Sequence, residues 1–493
     1  MSGLRHGTLV AALALAVAAA PLAGQDAGAK KANDAAARET PAPITAWTPP
    51  PGLGPLTDVS DAQANEPFCC DSRELGVTLI EIGAAMVIPW YFNRHVSDDS
   101  TAVIGPDTWW ANVEEGFEWD HDNFKTNMFA HPYHGGLYFN AGRSNGYNFW
   151  ESAAWAWGGS FLWEMFGENN RGAINDWLAT AVGGIAIGEA LHRASVTVWD
   201  NEATGTERAL REIGGFFINP MGGASRLFRG EMSRTGANPD DRFPASVRTN
   251  LNGGFRHVGD AGADPGTDGW VGQFELDYGN PLRDFENPFD AFTFRVQLNG
   301  GEDERIGLFQ IRGGLWGTEL RDSPQVRHTF RLEQLFHYIN NRTTETGGSA
   351  VAASFNSHWS LSDTWGVGTR VAPTALLLWG VASEYADFTR RTYDFGTGFG
   401  LILGSDLRMN GTRIVGVDWA SLVQKNLSGA SGTVWQHYLI TRASYPIVGR
   451  FGIGGEYWLF IRDSNYTDFP DVYRRHPEVL LYLTWDTSEG RFR

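Results

Sequence analysis

The chain has 493 residues, with 57 Asp and Glu against 39 Lys and Arg, for a formal net charge of −18. That balance argues against a nucleic-acid partner, because phosphate binding needs a basic footprint, while the length leaves room for two domains. Sixty glycines and twenty tryptophans point to a membrane sheet, since tryptophan gathers at membrane–water interfaces and glycine relieves crowding in curved sheets.

Residues 1–24 carry the pattern of a secretory signal peptide. Arg5 and His6 precede an apolar core from Thr8 to Ala20, and Pro21-Leu22-Ala23-Gly24 forms a small-residue cleavage site. Leu22-Ala23-Gly24 opens a lipoprotein box, but Gln25 stands where cysteine is needed. Residues 25–69 form an Ala/Pro-rich linker containing Pro49-Pro50-Pro51, too poor in apolar surface to offset its ordering entropy. Cys69 and Cys70 are adjacent. Neighbouring cysteines rarely bond each other, so the leading reading is a pair without chemistry, with an intermolecular disulfide as the alternative.

Residues 70–240 are expected to form a helical domain. Leu75–Phe92, Phe149–Phe166 and Ala173–Trp199 are apolar segments of helical length. Gly183-Gly184 and Gly188 allow close backbone approach, as small residues do in membrane and buried helices. No stretch after the signal reaches the ~20 uncharged apolar residues of a spanning helix; the nearest, Leu75 to Phe92, is interrupted by Glu81. The domain is too apolar for water on all sides, so it should plug the following domain or dock on it.

From residue 241 to 493 the hydrophobic period becomes two. Phe292, Phe294, Val296 and Leu298 alternate with Thr293, Arg295 and Gln297; Phe451, Ile453, Tyr457, Leu459 and Ile461 alternate with Glu456 and Arg462. Side chains on a strand alternate faces, and turn signals such as Asn299-Gly300-Gly301 and Asn410-Gly411 divide the region into about twelve strands. Near 393–403, Tyr393, Phe395, Phe399 and Leu401 should face out, with Gly396, Gly398, Gly400 and Gly404 facing in. Phe492 is penultimate, where a barrel usually ends on its aromatic. A soluble β-sandwich also alternates. Strand length, aromatic load and the secretion signal favour an antiparallel, all-β transmembrane barrel with an N-terminal hydrophobic helical domain, in the bacterial outer membrane. Its expected partners are outer-membrane lipid and, during biogenesis, the barrel assembly machinery. No cofactor is expected.

The densest polar pattern is Trp119-Asp120-His121-Asp122-Asn123-Phe124, Thr126-Asn127 and His131-Pro132-Tyr133-His134-Gly135, followed by Arg143, Trp163-Glu164, Asn175-Asp176 and Gly188-Glu189. From about Leu75 to Pro220 this pattern resembles an uncharacterised bacterial envelope family, domain of unknown function 3943. Gly172-Ala173 stands where that family usually has Pro-Ser, so the following helix cap differs. The resemblance implies a secreted envelope protein and carries no activity.

Three readings compete for these residues. His131 and His134 with Glu164, Asp176 or Glu189 supply ligand types suited to a first-row metal, although Pro132 spoils any helical His-x-x-His face. Alternatively His131 or His134, with Glu164 as a further catalytic candidate, acts beside Ser144, Ser152 or Ser160 in an envelope-lipid hydrolase, although no Gly-x-Ser-x-Gly elbow is present. The leading reading is a structural polar network of Asp122, Arg143, Asn175, Asp176 and Glu189, with Arg193 and the histidines as partners. Asn175 and Glu189 are spaced to share one helix face within about 40°. On the strands, Arg248, Arg295, Arg312, Arg331, Arg450 and Arg462 face Glu333 and Glu456. They either favour anions or pair across strands. The leading function is a non-enzymatic envelope protein that binds a lipid or small ligand. A passive pore requires an open lumen.

Overall fold

The computed structural model describes residues 72–486, apart from 239–243, 245, 260–265, 302–303, 342–343 and 386–390. The expected signal and linker, Cys69, Cys70 and Phe492 lie outside the described residues.

Twelve antiparallel strands close into a barrel in meander order, the first pairing with the last. They are β1 (Val247–Val258), β2 (Thr267–Tyr278), β3 (Phe292–Asn299), β4 (Ile306–Asp322), β5 (Val326–Asn341), β6 (Thr344–Ser360), β7 (Trp365–Ala382), β8 (Tyr393–Met409), β9 (Thr412–Ser428), β10 (Gly432–Val448), β11 (Phe451–Tyr466) and β12 (Val472–Asp486). The β8–β9 hairpin turns on Asn410 and Gly411, with φ of 50° and 80°, the left-handed pair that a two-residue hairpin requires. The near rim carries the start of β1 and the end of β12; the far rim carries the start of β8.

One contact fixes which face is inside. Arg295 of β3 reaches Glu456 of β11, four strands away around the barrel, at 2.7 Å. Phe292, Phe294 and Val296 on the same strand therefore point outward. The alternation expected in β8 holds: Gly398 and Gly400 lie opposite the buried, inward Gln424 and Leu422, while Phe399 is 69% exposed on the outside.

Before the barrel come α1 (Leu75–His95), α2 (Pro106–Glu115), α3 (His131–Arg143), α4 (Phe149–Phe166), α5 (Ile174–Leu178), α6 (Gly184–Val198), α7 (Gly205–Ile218) and α8 (Pro220–Phe228). A π turn at Thr126–Ala130 leads into α3, and another at Ala179–Gly183 joins α5 to α6. Asn148 caps α4 by accepting from the Glu151 amide, and Glu151 answers by accepting from the Asn148 amide. Ala173, at the start of α5, offers no capping side chain; its amide is instead held by the Glu164 carboxylate at 2.8 Å.

These helices do not plug the lumen; they dock on the outer wall. Phe129 packs on Phe309 and Tyr338, Phe124 on Tyr338 and Tyr393, and Trp119 on Phe395. All four barrel rings belong to the outward set, and they form one buried cluster with Phe139, Ile187 and Phe294. The outer wall beneath the helices is aromatic, and docking there buries these rings against one another. Within the domain α3 crosses α6 at backbone contact: a Cβ on Gly135 would overlap the Thr180 carbonyl, and one on Gly184 would overlap Gly135.

Candidate functional site

The polar residues of the helical domain divide into two networks, one at each rim. At the far rim Asp120 is the hub. Its carboxylate accepts from Asn127 and Asn175, each at 2.7 Å, and its amide donates to the Asn175 side-chain oxygen. Asn175 also donates to Asp176 at 2.6 Å. The network crosses to the barrel where Asn127 donates to the Tyr393 hydroxyl at 2.6 Å, Tyr393 donates to the Asp122 carbonyl at 3.0 Å, and Arg391 donates to the Asp120 carbonyl at 3.0 Å. His131 stands 3.7 Å from Asp176. In the loop after α4, burial pushes the Glu168 carboxyl up to about 7, against the pull of its hydrogen bond from the Trp163 indole.

At the near rim the fully buried Glu189 accepts from Arg143 at 2.7 Å and from Arg193 at 2.8 Å. Arg193 continues to the barrel, donating to the Pro288 carbonyl at 2.8 Å and pairing with Asp290 at 3.2 Å. The expected partners of Glu189 are thus in place. The expected sharing of one face by Asn175 and Glu189 is not: the π turn at Ala179–Gly183 adds a residue between them, rotating one against the other by about 100°.

The metal and hydrolase candidates are not drawn together in the way either chemistry needs. Among the described residues no group of three or more His, Cys, Asp or Glu side chains converges on a metal position. His134 bonds the Ala85 carbonyl at 2.9 Å and lies against Tyr138 and Trp163. Glu164 is committed to the Ala173 amide. Ser152 and Ser160 donate to the carbonyls of Tyr147 and Trp177 rather than to a histidine.

The lumen holds the other candidate. Side chains cross it at several heights: Glu478 accepts from Gln297 at 3.3 Å, Arg413 meets Glu275 at 3.8 Å, and Thr346 donates to Gln436 at 2.6 Å. Val271, Leu308, Ile339, Trp458, Phe460 and Leu480 pack together inside. Between these closures lies a cavity of about 180 Å³ faced by Arg295, Arg312, Arg370, Arg413 and Arg442 and by Glu275 and Asp418. Arg295 pairs with Glu456, Arg370 with Glu333 at 2.6 Å, Arg413 with Glu275, and Arg442 with Asp418 at 3.7 Å. Arg312 differs. Its hydrogen bond goes to the Thr293 hydroxyl at 3.4 Å, and no described carboxylate lies within ion-pair distance.

Of the other lumen arginines expected from the sequence, Arg331 pairs with Glu333 at 3.2 Å, Arg248 with Asp486 at 2.6 Å, and Arg462 with Glu384. Arg450 sits in the β10–β11 turn. Arg370, Arg413, Arg442, Glu275 and Arg391 were not singled out from sequence, and Tyr393 was expected only to face outward. Arg370, Arg442 and Glu275 lie on the polar face of alternating strands and were within reach of that signal. The role of Tyr393 was not, since an outward tyrosine looks the same whether lipid or protein covers it.

A family profile described as "Domain of unknown function (DUF3943)" matches residues 116–221, the span from the far-rim loop to the start of α8. No curated protein matches the chain. Among solved structures, the NanC porin is similar at 9% identity and a TM-score of 0.27, covering 48% of this chain and 98% of its own. The KdgM porin is similar at 10% identity and a TM-score of 0.21, with the same coverage. The outer membrane channel DcaP of Acinetobacter baumannii is similar at 8% identity and a TM-score of 0.22, covering 49% of this chain and 96% of its own.

Proposed function

We propose that this chain is a bacterial outer-membrane barrel, closed by its own lumen side chains, that holds a small carboxylate or phosphate at Arg312. The observation that carries the reading is the asymmetry among the cavity arginines: four meet carboxylates and Arg312 meets only a hydroxyl. Glu333 and Asp418 act on Arg312 only through space, and a guanidinium held in the lumen without a carboxylate in contact keeps part of its desolvation cost. An anion offsets that cost, and the planar fork of arginine suits carboxylate and phosphate geometry.

Membrane residence is supported by the barrel's uncovered outer face, where Phe255, Leu481 and Leu483 are 78%, 64% and 68% exposed. Soluble monomers rarely leave a continuous apolar belt open. The side chains that cross the lumen favour a binding barrel over an open pore. Among the described residues His131 faces Asp176 and His134 bonds the Ala85 carbonyl, contacts that favour binding over hydrolysis.

The test is equilibrium binding of labelled inorganic phosphate and acetate to the detergent-folded protein and to Arg312→Met, with heat-modifiable gel migration as the check on folding. Wild type should bind at least one anion, and the variant at least ~10-fold more weakly, the loss of one charge-assisted contact. Equal binding by both, or binding of neither anion by wild type, rejects the reading.

A further inference from the structure

We infer that the helical domain lies inside the bilayer beside the barrel, with α1 and the outward side of α4 facing lipid acyl chains. The inference rests on the outer-membrane reading of the barrel.

The path of the chain is the first support. α1 starts beside the near rim, where the Glu74 amide bonds the Asn145 carbonyl at the end of α3. It ends at the far side, where Trp90 donates to the Ala102 carbonyl. α3 runs back, from Phe124 against Tyr393 to Arg143 on Glu189. α4 returns from Phe149 against Phe289 to Glu164 at the far-rim network. The α5–α6 segment descends again, from Asn175 at Asp120 to Arg193 at Asp290. The 21 residues of α1 and 18 of α4 rise about 31 and 27 Å at 1.5 Å per residue. A bilayer's hydrocarbon is about 30 Å thick, and the apolar band of an outer-membrane barrel about 25 Å tall. Helices that run rim to rim on the outer wall occupy the position lipid holds around the rest of the barrel.

Burial is the second support, and it is inverted relative to a helix facing water. On α1, Thr78 and Glu81 are 0% and 2% exposed, while Ile80 and Ile88 are 69% and 68% exposed. On α4, Ser152, Ser160 and Glu164 turn inward, and Phe161 and Leu162 turn outward. The inward groups are satisfied within the domain: Glu81 accepts from Asn145 at 2.7 Å and from Ser225. Lipid imposes this arrangement because it offers no hydrogen bonds. The charge that interrupts Leu75–Phe92 is thus sequestered, and α1 is long and apolar enough to cross a membrane by length and composition. The glycine crossing of α3 and α6 supplies the small-residue contact by which helices associate in membranes.

Spin labels read depth directly. Nitroxides are placed by Ile80→Cys, Ile88→Cys and Leu162→Cys in full-length protein reconstituted into phospholipid vesicles, with Cys69→Ser and Cys70→Ser as background. Leu481→Cys serves as the barrel-wall control and Thr364→Cys as the turn control. The three helix labels should match Leu481 in oxygen accessibility and in exclusion of a water-soluble nickel chelate. If they are open to the chelate, like Thr364, while Leu481 is not, the inference is wrong and the barrel reading survives. If Leu481 is also open to the chelate, the membrane reading itself fails. An apolar diazirine dissolved in vesicles holding the wild-type chain repeats the test without substitution: modified α1 peptides support the inference, and modification confined to barrel peptides overturns it.

Discussion

Asn127, in the π turn before α3, donates to the hydroxyl of Tyr393 at 2.6 Å across 266 residues of sequence. Tyr393 in turn donates a hydrogen bond to the Asp122 carbonyl, so one phenol ties two points of the helical domain to the far rim. Tyr393→Phe keeps the ring against Phe124 and removes the acceptor of one Asn127 N–H and the donor to the Asp122 carbonyl, while Asn127 keeps its bond to Asp120. We expect a loss of about 1–3 kcal/mol from helix–barrel docking. Urea melts followed by tryptophan fluorescence should show it, with heat-modifiable migration of the barrel unchanged.

The near-rim anchor should be the more costly one to break. Glu189 is fully buried between Arg143 and Arg193, so Glu189→Ala leaves Arg143 with the Tyr147 carbonyl and no carboxylate, and Arg193 with only Asp290 and the Pro288 carbonyl. Removing one side of a buried ion pair costs about 3–5 kcal/mol. Glu164→Ala removes only the acceptor of the Ala173 amide, a loss of about 1–3 kcal/mol. Denaturant midpoints at equal slope should rank the two variants in that order.

Gly135 and Gly184 make the α3–α6 crossing possible. Gly135→Ala places its methyl on the Thr180 carbonyl and forces the helices apart, so it should destabilise by roughly 1–3 kcal/mol. Gly158, with open space around its α-carbon, is the control on α4. Gly158→Ala should be neutral or stabilising by up to about 1 kcal/mol, as expected of an exposed helical glycine.

Acidity should stabilise the docked domain through Glu168. Its carboxyl is raised from 4.5 to about 7, so above pH 7 the folded state carries a poorly hydrated charge. As pH falls from 7 towards 4.5, the folded chain takes up a proton that the unfolded chain does not, and stability rises across that window. Glu168→Gln should flatten the rise. An unchanged slope in the variant assigns the pH dependence elsewhere.

The barrel was legible because a strand displays its two environments on alternate residues. Phe399 outward and Gly398 inward follow from that rule alone, and turn signals such as Asn410-Gly411 add the count of about twelve strands. The position of the helices was not legible, because Phe309 and Tyr338 read as lipid-facing whether lipid or Phe129 covers them. The Asn175–Glu189 relation failed for a local reason, one extra residue in a π turn that leaves no periodic trace. Arg312 could be seen to face inward, but its lack of a carboxylate depends on which strands stand opposite, and only closure of the barrel decides that.

The helices pack on the outside of the barrel, and two positions on β5 tell outside from inside. Gln334 donates to the Val182 carbonyl at 2.7 Å from the outer face of β5, whereas His337 on the same strand faces the lumen cavity. In a background of Cys69→Ser and Cys70→Ser, Val182→Cys is combined with Gln334→Cys or with His337→Cys and treated with a short bismaleimide in isolated outer membranes. The account predicts an intramolecular crosslink for the Gln334 pair and none for the His337 pair. Crosslinking of the His337 pair with the Gln334 pair silent would put the helices in the lumen and contradict it.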